Sequence, residues 1–342
     1  MKTWNGFEHG INLGGWLSQC VHTSGHYSTF IGEKDFQIIA GWGLDHVRIP
    51  VDYNLVETPD GAYLEEGFQY IEKAIFWCKK NGLNMVLDLH KTYGYSFDSD
   101  DRESGFFENE KLQERFYRLW EQFAQRYSAY SDMLAFELLN EVTDRKYSDA
   151  WNHIARECIR RIRNISADIC ILIGGYYNNS IDALPDLEAP YDRNVIYNFH
   201  CYDPLLMTHQ GAPWVKKMDT SFRFSFNRPA GDLDRLNREL FGEGIMDFDR
   251  IDLKKPLSTD YFESRFEKAI RIADERNVRL YCGEYGMIDR ATPDDTVKWF
   301  QCIHDAFEKY GIGRAAWTYK KMDFGLSDAR LESVRKEIIS LL

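Results

Sequence analysis

The stretch EEGFQYIEKAIFWCKKNGLNMVLDLH, residues 65–90, is the one whose reading sets the fold. In its first part Phe68, Ile71, Ile75 and Cys78 recur three or four positions apart, which draws an apolar stripe down one side of a helix, and Gly82 stops it. The second part, NMVLDLH, is a short and almost continuously apolar run, the pattern of a strand covered on both faces. The same alternation runs along the chain. Strands are predicted at 11–14, 45–51, 84–90, 134–141, 170–174, 194–202, 279–286 and 314–319. Helices are predicted at 33–42, 65–81, 108–127, 148–165, 182–187, 261–276, 293–310 and 329–341. Apolar strands separated by helices mean an α/β protein with a parallel sheet. Eight such units favour closure into a (β/α)8 TIM barrel over an open doubly wound sheet. No GxGxxG follows the first strand, which argues against a dinucleotide-binding fold.

The 342 residues fit one catalytic barrel domain, 1–342, carrying an insertion. The interval between the sixth predicted strand and the following helix is too long for a connection. It holds FRFSFNRPAGD (222–232), LDRLNRELF (233–241) and DFDRIDLKKP (247–256). A long structureless loop is improbable in a compact domain. Residues 203–260 are therefore expected to form a small inserted subdomain, between strand 6 and helix 6, over the C-terminal face of the barrel.

Composition removes several classes of function. The net charge is −12, so nucleic acid and anionic membrane surfaces are poor partners. No apolar run reaches the ~18 residues needed to span a bilayer. The start, MKTWNGFEHG, lacks the apolar core of a signal peptide; the expectation is a cytoplasmic protein, or a secreted one if a signal has been removed. The seven cysteines are odd in number, scattered, and set in apolar runs, the pattern of reduced buried thiols. There is no CxxC, HxH or HExxH, so neither a structural zinc nor a metal-hydrolase site is expected, and no cofactor. Aromatic residues reach 15%, enough to supply planes that stack on sugar rings, although core and rim packing accounts for most of them. A monomer is expected.

In a barrel of this kind chemistry sits at the C-terminal ends of the strands. The polar residues ending the apolar runs are Arg48, His90, Asn140 with Glu141, His200 with Tyr202, Glu284, and Trp317 with Tyr319. Two carboxylates facing one another across a pocket can cleave a glycosidic bond, one as proton donor and the other as nucleophile or base. Burial and a neighbouring carboxylate both favour the protonated form the donor requires.

LAFELLNE (134–141), YNFHCY (197–202), YCGEYG (281–286) and AAWTYK (315–320), with GINLGGWL (10–17), DHVRIP (45–50) and LDLH (87–90), together resemble glycoside hydrolase family 5, the cellulase family. The resemblance spans nearly the whole chain. It implies a retaining endo-β-1,4-glucanase acting on β-glucan or cello-oligosaccharides by double displacement. It implies Glu141 as acid/base and Glu284 as nucleophile, with carboxyl groups about 5–5.5 Å apart. Asn140 would bond the sugar 2-hydroxyl, and His200 and Tyr202 would position the carboxylates. Arg48 would keep Glu284 ionised, His90 would contact sugar hydroxyls, and Trp317 would floor the subsite. β-Mannanase, xyloglucanase and exo-β-1,3-glucanase activities are the alternatives within the same group. Two departures concern the subsites: His90 is followed by Lys91 where many relatives have a second His, and Glu141 by Val142 where many have Pro.

Other residues carry weaker expectations. Trp16 and Trp214 are candidates for sugar stacking, as are Tyr93, Tyr95 and Tyr176. His22 and His26 carry no assignment. Glu137 shares strand parity with Glu141 but lies deeper, and is expected to be an ion-pair partner of Arg48 rather than a catalyst.

Overall fold

The computed structural model describes residues 3–98, 101, 103–242, 248 and 250–342. Eight parallel strands close into a barrel in sequence order. They are β1 (His9–Asn12), β2 (His46–Asp52), β3 (Asn84–Lys91), β4 (Leu134–Glu137), β5 (Cys170–Ile173), β6 (Val195–Cys201), β7 (Arg279–Tyr285) and β8 (Gly313–Ala316). Closure is made by β1 pairing β8, with Gly10 opposite Ala315.

The period-two alternation of side chains sorts the barrel interior into layers. The lowest is apolar: Val86, Ala135, Leu172, Ile196, Tyr281 and Ala315 pack together, closed beneath by the stacked rings of Trp4 and Phe7. The next layer up is polar and fully buried, with Asn12, Arg48, Asp88, Glu137 and Asn198. The outward-facing strand residues pack beneath the helices in the main core, where Trp120, Trp151 and Trp299 are fully buried.

Most predicted helices form near their expected bounds. Glu65–Asn81 ends at Gly82, whose φ of 68° is the left-handed conformation that glycine adopts without penalty. Three differences stand out. The predicted helix 182–187 is instead a 3-10 turn, Ile181–Asp186, containing Pro185, which has no N–H to donate. The predicted helix 329–341 reduces to a 3-10 turn, Ala329–Leu331, and a short helix, Arg335–Ile339. A helix that was not predicted, Ser24–Phe30, starts at Thr23, whose hydroxyl accepts from the His26 N–H.

The long interval after β6 holds the short helix Leu205–Thr208 and the helix Ala230–Phe241 before Thr259–Arg276 begins. It is tied to the barrel wall. Ile288 N–H donates to the Thr208 carbonyl, Phe226 N–H to Asp295, and Trp299 Nε1 to the Asp203 carbonyl. Within the expected insertion, 243–247 and 249 lie outside the described residues. All seven cysteines are free thiols. No helix among the described residues is long and apolar enough to cross a membrane.

Candidate active site

Arg48 is the hub. Its side chain rises from β2 into the barrel centre with no exposed surface. An unpaired guanidinium there would be prohibitively costly, so partners surround it. Glu137 takes a bidentate pair, Nε at 2.7 Å and Nη2 at 2.9 Å. Nη1 donates to Glu284 at 2.8 Å and to Asn12 at 2.9 Å. Nη2 also reaches Asn140 Oδ1 at 2.9 Å and Asp88 at 3.0 Å. Glu137 is thus the structural partner its parity suggested, completed by a third hydrogen bond from Asn198.

Above this layer the two candidate carboxylates meet. Glu284 reaches the mouth through an irregularity in β7: Phe199 pairs Cys282, then His200 pairs Glu284, so Gly283 is skipped in the ladder. Only glycine fits there, since a Cβ would lie 2.7 Å from Asn198 Oδ1 and 3.1 Å from His200 Nε2. Glu141 comes from the loop after β4 and sits at φ 45°, a left-handed conformation rare for a non-glycine residue and the kind of local strain found at functional sites. The Tyr95 hydroxyl holds its carbonyl at 2.6 Å. An oxygen of Glu141, an oxygen of Glu284 and a nitrogen of His200 all lie within 4.8 Å of one another. His200 Nδ1 is 2.8 Å from Glu141 and 3.6 Å from Glu284. The Tyr202 hydroxyl donates at 2.9 Å to the Glu284 oxygen that Arg48 does not bond.

The surroundings make the two carboxyls unequal. Burial pushes both above the usual carboxylate range, and each also meets groups that favour its charged form. Glu284 receives the Arg48 guanidinium and the Tyr202 hydroxyl directly. Glu141 has no direct cation and receives neutral donors. The charge of Glu141 raises Glu284 further, so the two titrate as a coupled pair. Burial pushes His90 and His200 down to about 4, so both are neutral near pH 7. Burial raises Asp88 to about 7 despite its contact with Arg48.

Trp317 and His90 lie parallel, with centroids 5.8 Å apart, on one side of the mouth. Gly14 and Gly286 admit the tryptophan: a Cβ on Gly14 would sit 2.8 Å from its ring, and one on Gly286 2.4 Å from its carbonyl oxygen. Asn140 spends its Oδ1 on Arg48, while its buried Nδ2 has no protein partner. Trp214 is half-exposed and stands edge-on to His209, which also meets Tyr202 and Phe324.

Trp16 is a correction. It is fully buried, donates Nε1 to the Tyr27 carbonyl and packs on Phe36 and Trp77, so it belongs to the core and presents no face to a sugar. Tyr95 is likewise buried and acts as a strut. His22 is bonded to Asp52 and Tyr27, and His26 to the Gly15 carbonyl.

Sequence reasoning missed Asp88, which accepts from His90 Nδ1 at 2.5 Å, and Asn12 and Asn198, which brace Arg48 and Glu137. All three share inward parity with residues that were found, and that parity was the available signal. It also missed Asn178 and Asn179, whose amides reach Glu141 and His200. Among the described residues, Glu141, His200 and Glu284 are the one group of three acidic, His or Cys side chains whose donor atoms converge as metal ligands would. Each of them is already hydrogen-bonded within the site.

Comparison with known proteins finds relatives along nearly the whole chain. The family model for cellulase, glycosyl hydrolase family 5, matches residues 6–323. The chain is 44% identical to Cellodextrinase A of Ruminococcus flavefaciens over 92% of its own length and 86% of that protein. It is 37% identical to Endoglucanase C of Acetivibrio thermocellus over 98% of both chains. A crystal structure of Thermotoga maritima Cel5A in complex with mannotriose superposes with a TM-score of 0.76 at 25% identity, covering 98% of this chain and 97% of that one. An eight-stranded barrel, two carboxyls brought together from the loop after β4 and from β7, and a family match along almost the whole chain lead to one assignment: this protein is a glycoside hydrolase belonging to family 5, the cellulases.

Proposed function

We propose that the protein is a retaining endo-β-1,4-glucanase that hydrolyses β-glucan and cello-oligosaccharides by double displacement. The observation that carries this reading is the approach of Glu141 and Glu284 oxygens to within 4.8 Å. Such closeness suits a nucleophile and a proton donor; an inverting pair stands roughly 6.5–9.5 Å apart to admit a water.

In the first step an oxygen of Glu284 attacks the anomeric carbon. The glycosidic C–O bond breaks, and the leaving oxygen takes the proton from Glu141. In the second step water attacks the same carbon, Glu141 takes a proton from it, and Glu284 leaves as the carboxylate. Arg48 and Tyr202 keep Glu284 ionised and aimed. The unpartnered Nδ2 of Asn140 is the donor to the 2-hydroxyl of the sugar. His90 contacts further hydroxyls, Trp317 floors the subsite, and His200 positions Glu141. Trp214, exposed and edge-on to His209, is a second stacking surface.

The relatives frame the substrate question: one is named for cellodextrins, one for endoglucanase activity, and a solved neighbour holds mannotriose. Proton NMR of the first sugar released from cellotetraose decides the mechanism: the β-anomer is expected, and initial α-anomer contradicts it. Parallel assays on carboxymethyl cellulose, lichenan and mannan decide the linkage, with preference for mannan favouring β-mannanase.

A further inference from the structure

Three consecutive residues after β5, Tyr177, Asn178 and Asn179, have φ of 51°, 58° and 56°. A run of three non-glycine residues in the left-handed region is uncommon, because each Cβ crowds the following carbonyl; Asn tolerates it best. The turn is held open by its surroundings. Asn178 N–H donates to the Val142 carbonyl at 3.1 Å, directly after Glu141. Gly174 makes room for Asn179, since a Cβ there would lie 2.1 Å from Asn179 Oδ1.

This backbone delivers two adjacent amides to the site. Asn178 Nδ2 donates to Glu141 Oε2 at 2.9 Å. Asn179, fully buried, places Nδ2 3.3 Å from His200 Nε2. An amide N–H facing Nε2 makes that nitrogen the acceptor, so the ring proton sits on Nδ1 and is donated to Glu141 Oε1 at 2.8 Å. Both oxygens of Glu141 thus face donors, an arrangement matched to the carboxylate and hence to the state reached after the proton has left.

We propose that the left-handed turn Tyr177–Asn179 is a positioning device for the acid/base, with Asn178 holding the ionised form of Glu141 directly and Asn179 fixing the His200 tautomer that completes the hold. The proposal rests on the reading of Glu141 as acid/base. Asn178 lowers the proton affinity that burial raises. The other ionisable groups around Glu141 are Arg48 on β2, Asp88 and His90 on β3, Tyr95 in the loop after it, His200 on β6 with Tyr202 just beyond it, and Glu284 on β7. The Asn178 amide is hydrogen-bonded to Glu141 itself.

The test uses Asn178→Gly, which suits the left-handed backbone while removing the amide, and Asn178→Asp, which keeps the shape but replaces the donor with an acceptor. In Asn178→Gly the basic limb of kcat/KM on cellotetraose should move up by roughly 0.5–1 pH unit. The acidic limb of kcat on dinitrophenyl β-cellobioside, where deglycosylation limits, should move up equally. Asn178→Asp should move both further. Unchanged limbs in both variants, with unchanged thermal unfolding, would overturn the proposal. Glu141→Ala run in parallel separates the two readings. It should lose turnover of cellotetraose while sparing glycosylation by the dinitrophenyl substrate. Full activity in that variant contradicts the role of Glu141 itself rather than that of the turn.

Discussion

Arg48 shows how one side chain can organise both stability and chemistry. It faces Asp88, Glu137 and Glu284 at once, and only Glu284 opens toward the cleft. Glu137→Gln removes the charge that makes the bidentate pair while keeping the volume. It should lower stability by about 3 kcal/mol, read as a drop in Tm, and leave Glu141 and Glu284 in place. A variant with wild-type Tm and no activity would contradict the structural role given to Glu137. The two mouth carboxyls fix the pH response. Burial raises both above the ordinary 4.5. In the proposed mechanism, Glu284 gains a proton and ceases to be a nucleophile as pH falls through the lower apparent pKa, and Glu141 loses the proton it donates as pH rises through the upper one. A bell-shaped kcat/KM is expected with its maximum above 4.5, and a rate that rises continuously below that value would contradict the assignment.

At the scale of elements, the decisive features are the places where strands stop being regular. The predicted strand 134–141 is only hydrogen-bonded as a ladder to Glu137, and the remaining residues form the loop that turns Glu141 inward. β7 keeps its length but skips Gly283. Gly283→Ala should press on Asn198 and His200 and displace Glu284. The expected result is a fall in kcat of tenfold or more, with a stability loss of about 1–3 kcal/mol. Wild-type kinetics in that variant would show that the bulge does not position the nucleophile. The strands and the candidate carboxylates were legible because period-two patterning and strand-end polarity are local signals. The 3-10 turn at Ile181–Asp186 was not, because its apolar residues mimic a helix until Pro185 is counted against it. Asn178 and Asn179 were invisible for a different reason. Their importance comes from a backbone conformation that residue identity alone does not announce.

For the whole molecule, the barrel supplies the frame and the stretch after β6 contributes His209 and Trp214 beside Tyr202. Ring contacts run from Tyr202, which bonds Glu284, through His209 to Trp214, with buried Phe324 packed behind Tyr202 and His209. Trp16, although it carries the same chemistry, is spent on packing beneath the helices. Residue type alone could not separate these two tryptophans, because burial is decided by tertiary packing. Trp214→Ala should cut kcat/KM on long cello-oligosaccharides about tenfold and leave the shortest cleavable substrate nearly unaffected. Equal losses at every chain length would remove Trp214 from the cleft.

Double displacement requires an oxygen of Glu284 to bond the anomeric carbon of the sugar. Treating the enzyme with a fluorinated β-cellobiosyl fluoride, which forms the glycosyl-enzyme quickly and releases it slowly, captures that bond. Mass spectrometry of the digested protein should find one added disaccharide on the peptide containing Glu284 and none in Glu284→Gly. A label on any other residue, or active enzyme that acquires none, would contradict the account.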